Sequence, residues 1–164
     1  MIPLWSRLQS LDERLARWMA RHGIRLLRVS LGVVFAWFGA LKFFPGLSPA
    51  QDLAGSTIEV MSLGLVPAAV AVPVLAAWEV AIGIGLLGGR FLRATLALLW
   101  LQMLGTVTPL ALFPEQCFTW FPVAPTLEGQ YIIKNVVLVA AGLVLGATVR
   151  GGRLVAEPPR RTPS

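Results

Sequence analysis

The chain has 164 residues, 56% of them hydrophobic and 13% charged, with a mean hydropathy of +0.73; a soluble domain carries about 45–50% apolar and about 25% charged residues, so an ordinary soluble globule is excluded. The net charge of +6 suggests no nucleic-acid partner, because the Arg residues sit in a few short segments separated by long apolar runs. One Cys precludes an internal disulfide, and one Cys with one His leaves no ligand set for tetrahedral zinc or a bis-His haem, so no metal or haem is expected.

At the N-terminus, Leu4, Leu8, Leu11, Leu15, Trp18 and Met19 recur three or four residues apart with Arg7, Arg14, Arg17 and Arg21 between them, which is helical periodicity with a cationic face. Ser10 and Glu13 have capping-box spacing, and Gly23 after His22 marks an expected stop. Residues 1–27 therefore read as an amphipathic helix lying in the headgroup region and retained in the mature chain. The recurring charges and the lack of a small-residue cleavage site make a poor signal peptide.

Four apolar stretches follow, at about 29–44, 67–87, 94–113 and 131–149. Each is close to the roughly 20 residues that cross a ~30 Å hydrocarbon core, the first if Arg25 and Arg28 snorkel. All twelve Arg lie in the N-terminal segment, the 88–93 connection and the C-terminal tail. The positive-inside rule then places both termini and the middle connection in the cytoplasm. The expected architecture is an all-α integral membrane four-helix bundle over residues 28–150, preceded by the interfacial helix and followed by a disordered tail over 151–164.

Of the two connections on the other side, 45–66 contains Ser48-Pro49 and then Leu53, Thr57, Val60 and Met61 at helical spacing, predicting a short surface helix. The second, 114–128, has Pro114, Pro122, Pro125, Trp120 and Cys117 and is expected to form an ordered non-helical cap. Cys117 reads as an intermolecular disulfide partner, a redox-active thiol or an inert buried residue. His22 reads as a helix end rather than a ligand.

Small residues recur along the spans: Gly32, Ala36 and Ala40 in the first, Ala77, Ala81, Gly85 and Gly89 in the second, Gly142 and Gly146 in the fourth. In lipid such stripes let helix backbones approach, which predicts a tight bundle. Gly83-Ile-Gly-Leu-Leu-Gly88 spells the GxGxxG pattern of dinucleotide sites, but no strand precedes it and no solvated helix start follows, so the match is spurious.

The residues that stand out chemically are polar ones within the apolar runs. Glu79 falls near the middle of the second span, where an ionised acid costs roughly 2.5–3.5 kcal/mol unless paired, hydrated or protonated. Counting ~1.5 Å per residue from the Arg at each span's cytoplasmic end puts Lys42 ~21 Å, Glu79 ~16 Å, Thr106 ~20 Å, Thr108 ~22 Å and Lys134 ~24 Å above that end. Gln102 and Asn135 flank them, and Pro109 frees a backbone carbonyl at this depth. One reading is a polar outer-leaflet pocket of Lys42, Glu79, Thr108, Lys134 and Asn135, in which a Lys donates to the oxygen of an anionic or quinone-like ligand and Glu79 relays a proton. In the other, both Lys snorkel to the interface and Glu79 pairs with Gln102 or a hydroxyl as interhelical glue.

The chain resembles the DoxX-like family of small bacterial inner-membrane proteins. Arg28-Val-Ser-Leu-Gly32 leading to Gly39-Ala-Leu-Lys42-Phe43, Trp78-Glu79, Thr108-Pro109 and Glu128-Gly-Gln-Tyr-Ile-Ile-Lys134-Asn135 carry the resemblance, over roughly residues 25–150. It implies a four-helix membrane fold associated with redox systems, as a subunit linked to thiosulfate:quinone oxidoreduction or a partner of oxidative-stress enzymes. The family's characteristic positions fall on Lys42, Glu79, Thr108-Pro109 and Lys134-Asn135. The expectation is an accessory subunit, not catalytic on its own, with a quinone or small solute as ligand and a protein partner in a redox complex; the oligomeric state is left open. Electron transfer would belong to a bound quinone or to the partner. A small proton-coupled transporter titrating Glu79 and a scaffold recruiting a partner protein are the alternatives.

Overall fold

The structure is a computed structural model that describes residues 4–49 and 51–152; the tail expected to be disordered lies, from residue 153 on, outside the described residues. Helix α1 (Leu4–Leu41) is followed by α2 (Gln51–Met61), α3 (Ala68–Gly88), α4 (Leu92–Thr106), α5 (Pro109–Leu112) and α6 (Pro114–Cys117). A short hairpin of β1 (Phe118–Trp120) and β2 (Ala124–Pro125) leads into α7 (Leu127–Ile133) and α8 (Asn135–Thr148). Among the described residues, four helical stretches are long and apolar enough to cross a membrane: Leu8–Leu41, Ala68–Gly88, Leu92–Leu112 and Leu127–Thr148. The third joins α4 to α5 and the fourth joins α7 to α8.

The helix stop expected at Gly23 is absent. Helix α1 runs unbroken for 38 residues, about 57 Å at ~1.5 Å per residue, nearly twice a hydrocarbon core. Strong helix formers on both sides outweigh one mid-helix glycine, which costs only about 0.5–1 kcal/mol. Nothing lies within 4 Å of where a Gly23 Cβ would stand. Gly23→Ala is therefore expected to stabilise the chain by roughly 0.5–1 kcal/mol, seen as a higher unfolding midpoint in detergent; a lower midpoint would mean the helix needs flexibility there.

Core residues come from all four long stretches: Leu31 and Phe35 of α1, Ile82 and Leu86 of α3, Leu96, Leu99 and Met103 of α4, Ala141 and Leu145 of α8. Outside this core, Trp37, Ile84, Leu104, Val136, Val137 and Leu143 are exposed. Large apolar side chains on both inner and outer faces are what a lipid environment permits. Glycines set the helix contacts. A Cβ on Gly83 would stand 2.4 Å from the Ala36 backbone nitrogen, and one on Gly85 would overlap the Thr95 hydroxyl of α4. Two glycines of the spurious dinucleotide pattern are thus contact points of α3 with two different neighbours. Gly89 ends α3 in the left-handed conformation at φ 67°, its N–H donating to the Gly85 carbonyl, the usual glycine C-cap.

Helix α2 buries Leu53, Gly55 and Thr57, with Gly55 against Ala68 and Val72 of α3; Val60 and Met61, expected on the same face, are exposed. The 114–128 connection is ordered but opens with a helical turn, because Pro114 occupies the first helical position, where the missing N–H costs nothing.

Candidate functional site

Glu79 of α3 is buried, and both its oxygens are engaged. Lys42, one residue beyond α1, donates from Nζ to Glu79 Oε2 at 2.6 Å, and Gln102 of α4 donates from Nε2 to Glu79 Oε1 at 2.7 Å. The Lys42 and Glu79 side chains are each 10% exposed. Charge-assisted bonds of this kind are the strong ones, and they offset part of the desolvation that an acid incurs in an apolar interior.

Local sequence explains the geometry. A Cβ on Gly39 would lie 2.7 Å from Glu79 Cβ and 2.9 Å from the Val80 nitrogen, so only glycine lets the end of α1 approach α3 closely enough for this lysine to reach the carboxylate. The chain then turns, with the Lys42 N–H on the Gly39 carbonyl at 3.1 Å. On the other side of Glu79, the indole Nε1 of Trp78 donates to the Leu98 carbonyl at 3.2 Å, bracing α3 against α4 beside Gln102. Because the Gln102 amide nitrogen must face the carboxylate, its Oε1 faces away, and this buried oxygen has no hydrogen-bond partner among the described residues. Such an orphan acceptor costs about 1–3 kcal/mol unless a donor reaches it.

The other predicted site residues are not drawn in. Lys134 does not converge on Glu79: its amine stands 5.5 Å from the centroid of the Tyr131 ring, and the side chain is exposed. Lys134 falls at the joint between α7 and α8, one turn after Tyr131, and the outward cation–π contact keeps its charge hydrated. Asn135 is half-buried at the start of α8. The Thr108 hydroxyl closes on the Leu104 carbonyl at 3.3 Å and that of Thr106 on the Met103 carbonyl at 3.0 Å, both locally within the 92–112 stretch. Nor does Pro109 leave an open carbonyl for a ligand: the Gly105 oxygen that a residue-109 N–H would have bonded accepts from the Thr108 N–H at 3.2 Å in a tighter turn. The pocket reading set Gln102 only beside the site, whereas the interhelical-glue reading paired it with Glu79, and its amide is a direct partner of that carboxylate.

Cys117 is fully buried with Leu53 and Ile132, its thiol donating to the Pro109 carbonyl at 3.5 Å. Burial pushes the thiol up, and the Glu115 and Glu128 carboxylates add to it, so the reactive thiolate is disfavoured. Of the three readings of Cys117, the buried one matches this environment. Among the described residues no three of His, Cys, Asp and Glu gather as metal ligands.

The family model described as DoxX matches residues 23–113, more than half of the chain, and the match takes in Lys42, Glu79 and Gln102. The chain belongs to the DoxX family. No curated protein and no solved structure is matched. This DoxX protein is a multi-pass membrane protein whose family region contains the complete Lys42–Glu79–Gln102 network. The α7–α8 stretch with Lys134 and Asn135 lies beyond it.

Proposed function

We propose that this DoxX protein is an accessory membrane subunit of a bacterial redox or oxidative-stress system, and that the Lys42–Glu79–Gln102 network binds the head of a quinone or a small polar solute in the outer leaflet. The observation that carries this reading is the orphan Gln102 Oε1 beside a buried ion pair. A lysine ammonium has three donors, and Glu79 takes one of them. Lys42 therefore has N–H groups for a carbonyl oxygen, while Gln102 Oε1 can accept from a hydroxyl. A network offering both a donor and an acceptor suits a group that exists in carbonyl and hydroxyl forms. Glu79 is placed to exchange a proton with Lys42. The redox equivalents belong to the quinone when bound and to the partner protein.

Transport through the bundle has less support. On the Arg28 side of Glu79 the interior is filled by Ile82, Leu86 and Leu99, all fully buried, so the polar network does not continue along the helices. Both termini in the cytoplasm, as the Arg distribution suggests, would put the network in the outer half of the bilayer.

The test is lipid-quinone content per chain after purification in mild detergent. The wild type is expected to retain quinone. Gln102→Leu, which leaves the Lys42–Glu79 pair in place, should retain about tenfold less, the effect of losing one hydrogen bond beside a charged pair. Equal quinone content in wild type, Gln102→Leu and Glu79→Gln would overturn the assignment.

A further inference from the structure

A cavity lies at the opposite end of the bundle. Arg21, Arg25 and Arg28 follow each other along α1 at four- and three-residue spacing, which aligns them on one helix face, and all three line this cavity of about 300 Å³. Its other walls are apolar, built mainly from Leu92 and Leu96 of α4 and Leu145 of α8. Thr148, also at the wall, spends its hydroxyl on the Leu145 carbonyl at 2.8 Å. An adjoining hollow of about 450 Å³ shares Leu92 with the first and adds Arg93.

Among the described residues, the ion pairs are Arg17 with Glu13 and Lys42 with Glu79, so no carboxylate neutralises the three guanidinium groups. Arg28 lies against Gly89, where any Cβ would overlap its guanidinium. That holds it at the C-terminal end of α3, whose free carbonyls favour a cation. Arg21 and Arg25 are exposed and remain available. Among the described residues these guanidinium groups have no carboxylate partner and share a cavity with an apolar wall, an arrangement that an anion would complete. Guanidinium matches phosphate oxygens in a bidentate manner, and the leucine walls require that the anion bring hydrocarbon with it.

We propose that this cavity binds an anionic phospholipid, with its phosphodiester held by Arg21, Arg25 and Arg28 and the upper part of its acyl chains lying along Leu92, Leu96 and Leu145. A free phosphate would satisfy the arginines but leave the apolar wall facing water; a zwitterionic lipid would cover the wall but bring its own cation to the arginines. Basic pockets between spanning helices recognise lipid headgroups by this combination.

The test uses the full chain in detergent, titrated by native mass spectrometry with phosphatidylglycerol, with phosphatidylcholine of matched chains, and with phosphatidylglycerol in competition with inorganic phosphate. Phosphatidylglycerol should bind about tenfold more tightly than phosphatidylcholine. That preference should vanish in Arg21→Gln/Arg25→Gln, whose exposed positions leave the fold intact, and largely persist in Arg21→Lys/Arg25→Lys. Equal affinity for the two lipids, or a preference that survives the Gln substitutions, would overturn the proposal. Full displacement by inorganic phosphate would also overturn it, revealing an anion site without a lipid component.

Discussion

Lys42→Met is expected to destabilise the chain by about 3–5 kcal/mol, because it leaves the Glu79 carboxylate buried with Gln102 as its only donor and an uncompensated buried charge is among the costliest single defects. The effect should appear as a large drop in the unfolding midpoint in mixed micelles. Glu79→Leu, by contrast, removes the acid and lets Lys42, next to the end of α1, extend toward the interface, so its cost should be smaller. Equal losses for the two variants would show that the pair contributes through its contacts rather than through the acid's need for a partner.

The second large effect is expected at the α1–α3 contact. Gly83→Val places a branched side chain where even a Cβ would lie 2.4 Å from the Ala36 nitrogen and 2.7 Å from its Cα. Backbone cannot yield as a side-chain tip can, so α1 must move off α3, at a cost of about 3 kcal/mol or more. The same displacement would draw Lys42 away from Glu79, linking helix contact to site geometry. Gly105→Ala is the control at an open helical position, with nothing within 4 Å of its Cβ position, and as at Gly23 it should cost nothing and gain up to roughly 0.5–1 kcal/mol. Comparable losses in the two would mean that the small-residue contact does not hold the bundle together.

Four apolar helices were legible because runs of this length and hydropathy have few other solutions. Gly83 was harder to read: pattern alone shows a glycine every few residues, and only the contact with Ala36 distinguishes a helix interface from a ligand loop. The expected stop at Gly23 failed for a related reason, since a single glycine is a weak signal against continuous helix formers. Depth counting gave the heights of Lys42, Glu79 and Lys134 but not their azimuths. Two of the three share a contact because Gly39 brings their helices together, whereas Lys134 sits at a helix joint and turns to Tyr131. The orphan Gln102 Oε1 could not be read from the sequence at all, because it depends on which way one amide faces.

All of this rests on Glu79 being tolerated in the bundle through Lys42 and Gln102, and the direct measurement is the coupling energy of Lys42 with Glu79. In a double-mutant cycle of Lys42→Met and Glu79→Leu, unfolding free energies should give a coupling of about 2–3 kcal/mol, with the double variant more stable than Lys42→Met alone. Losses that simply add, to within about 0.5 kcal/mol, would show that the two residues do not depend on each other and would contradict the account.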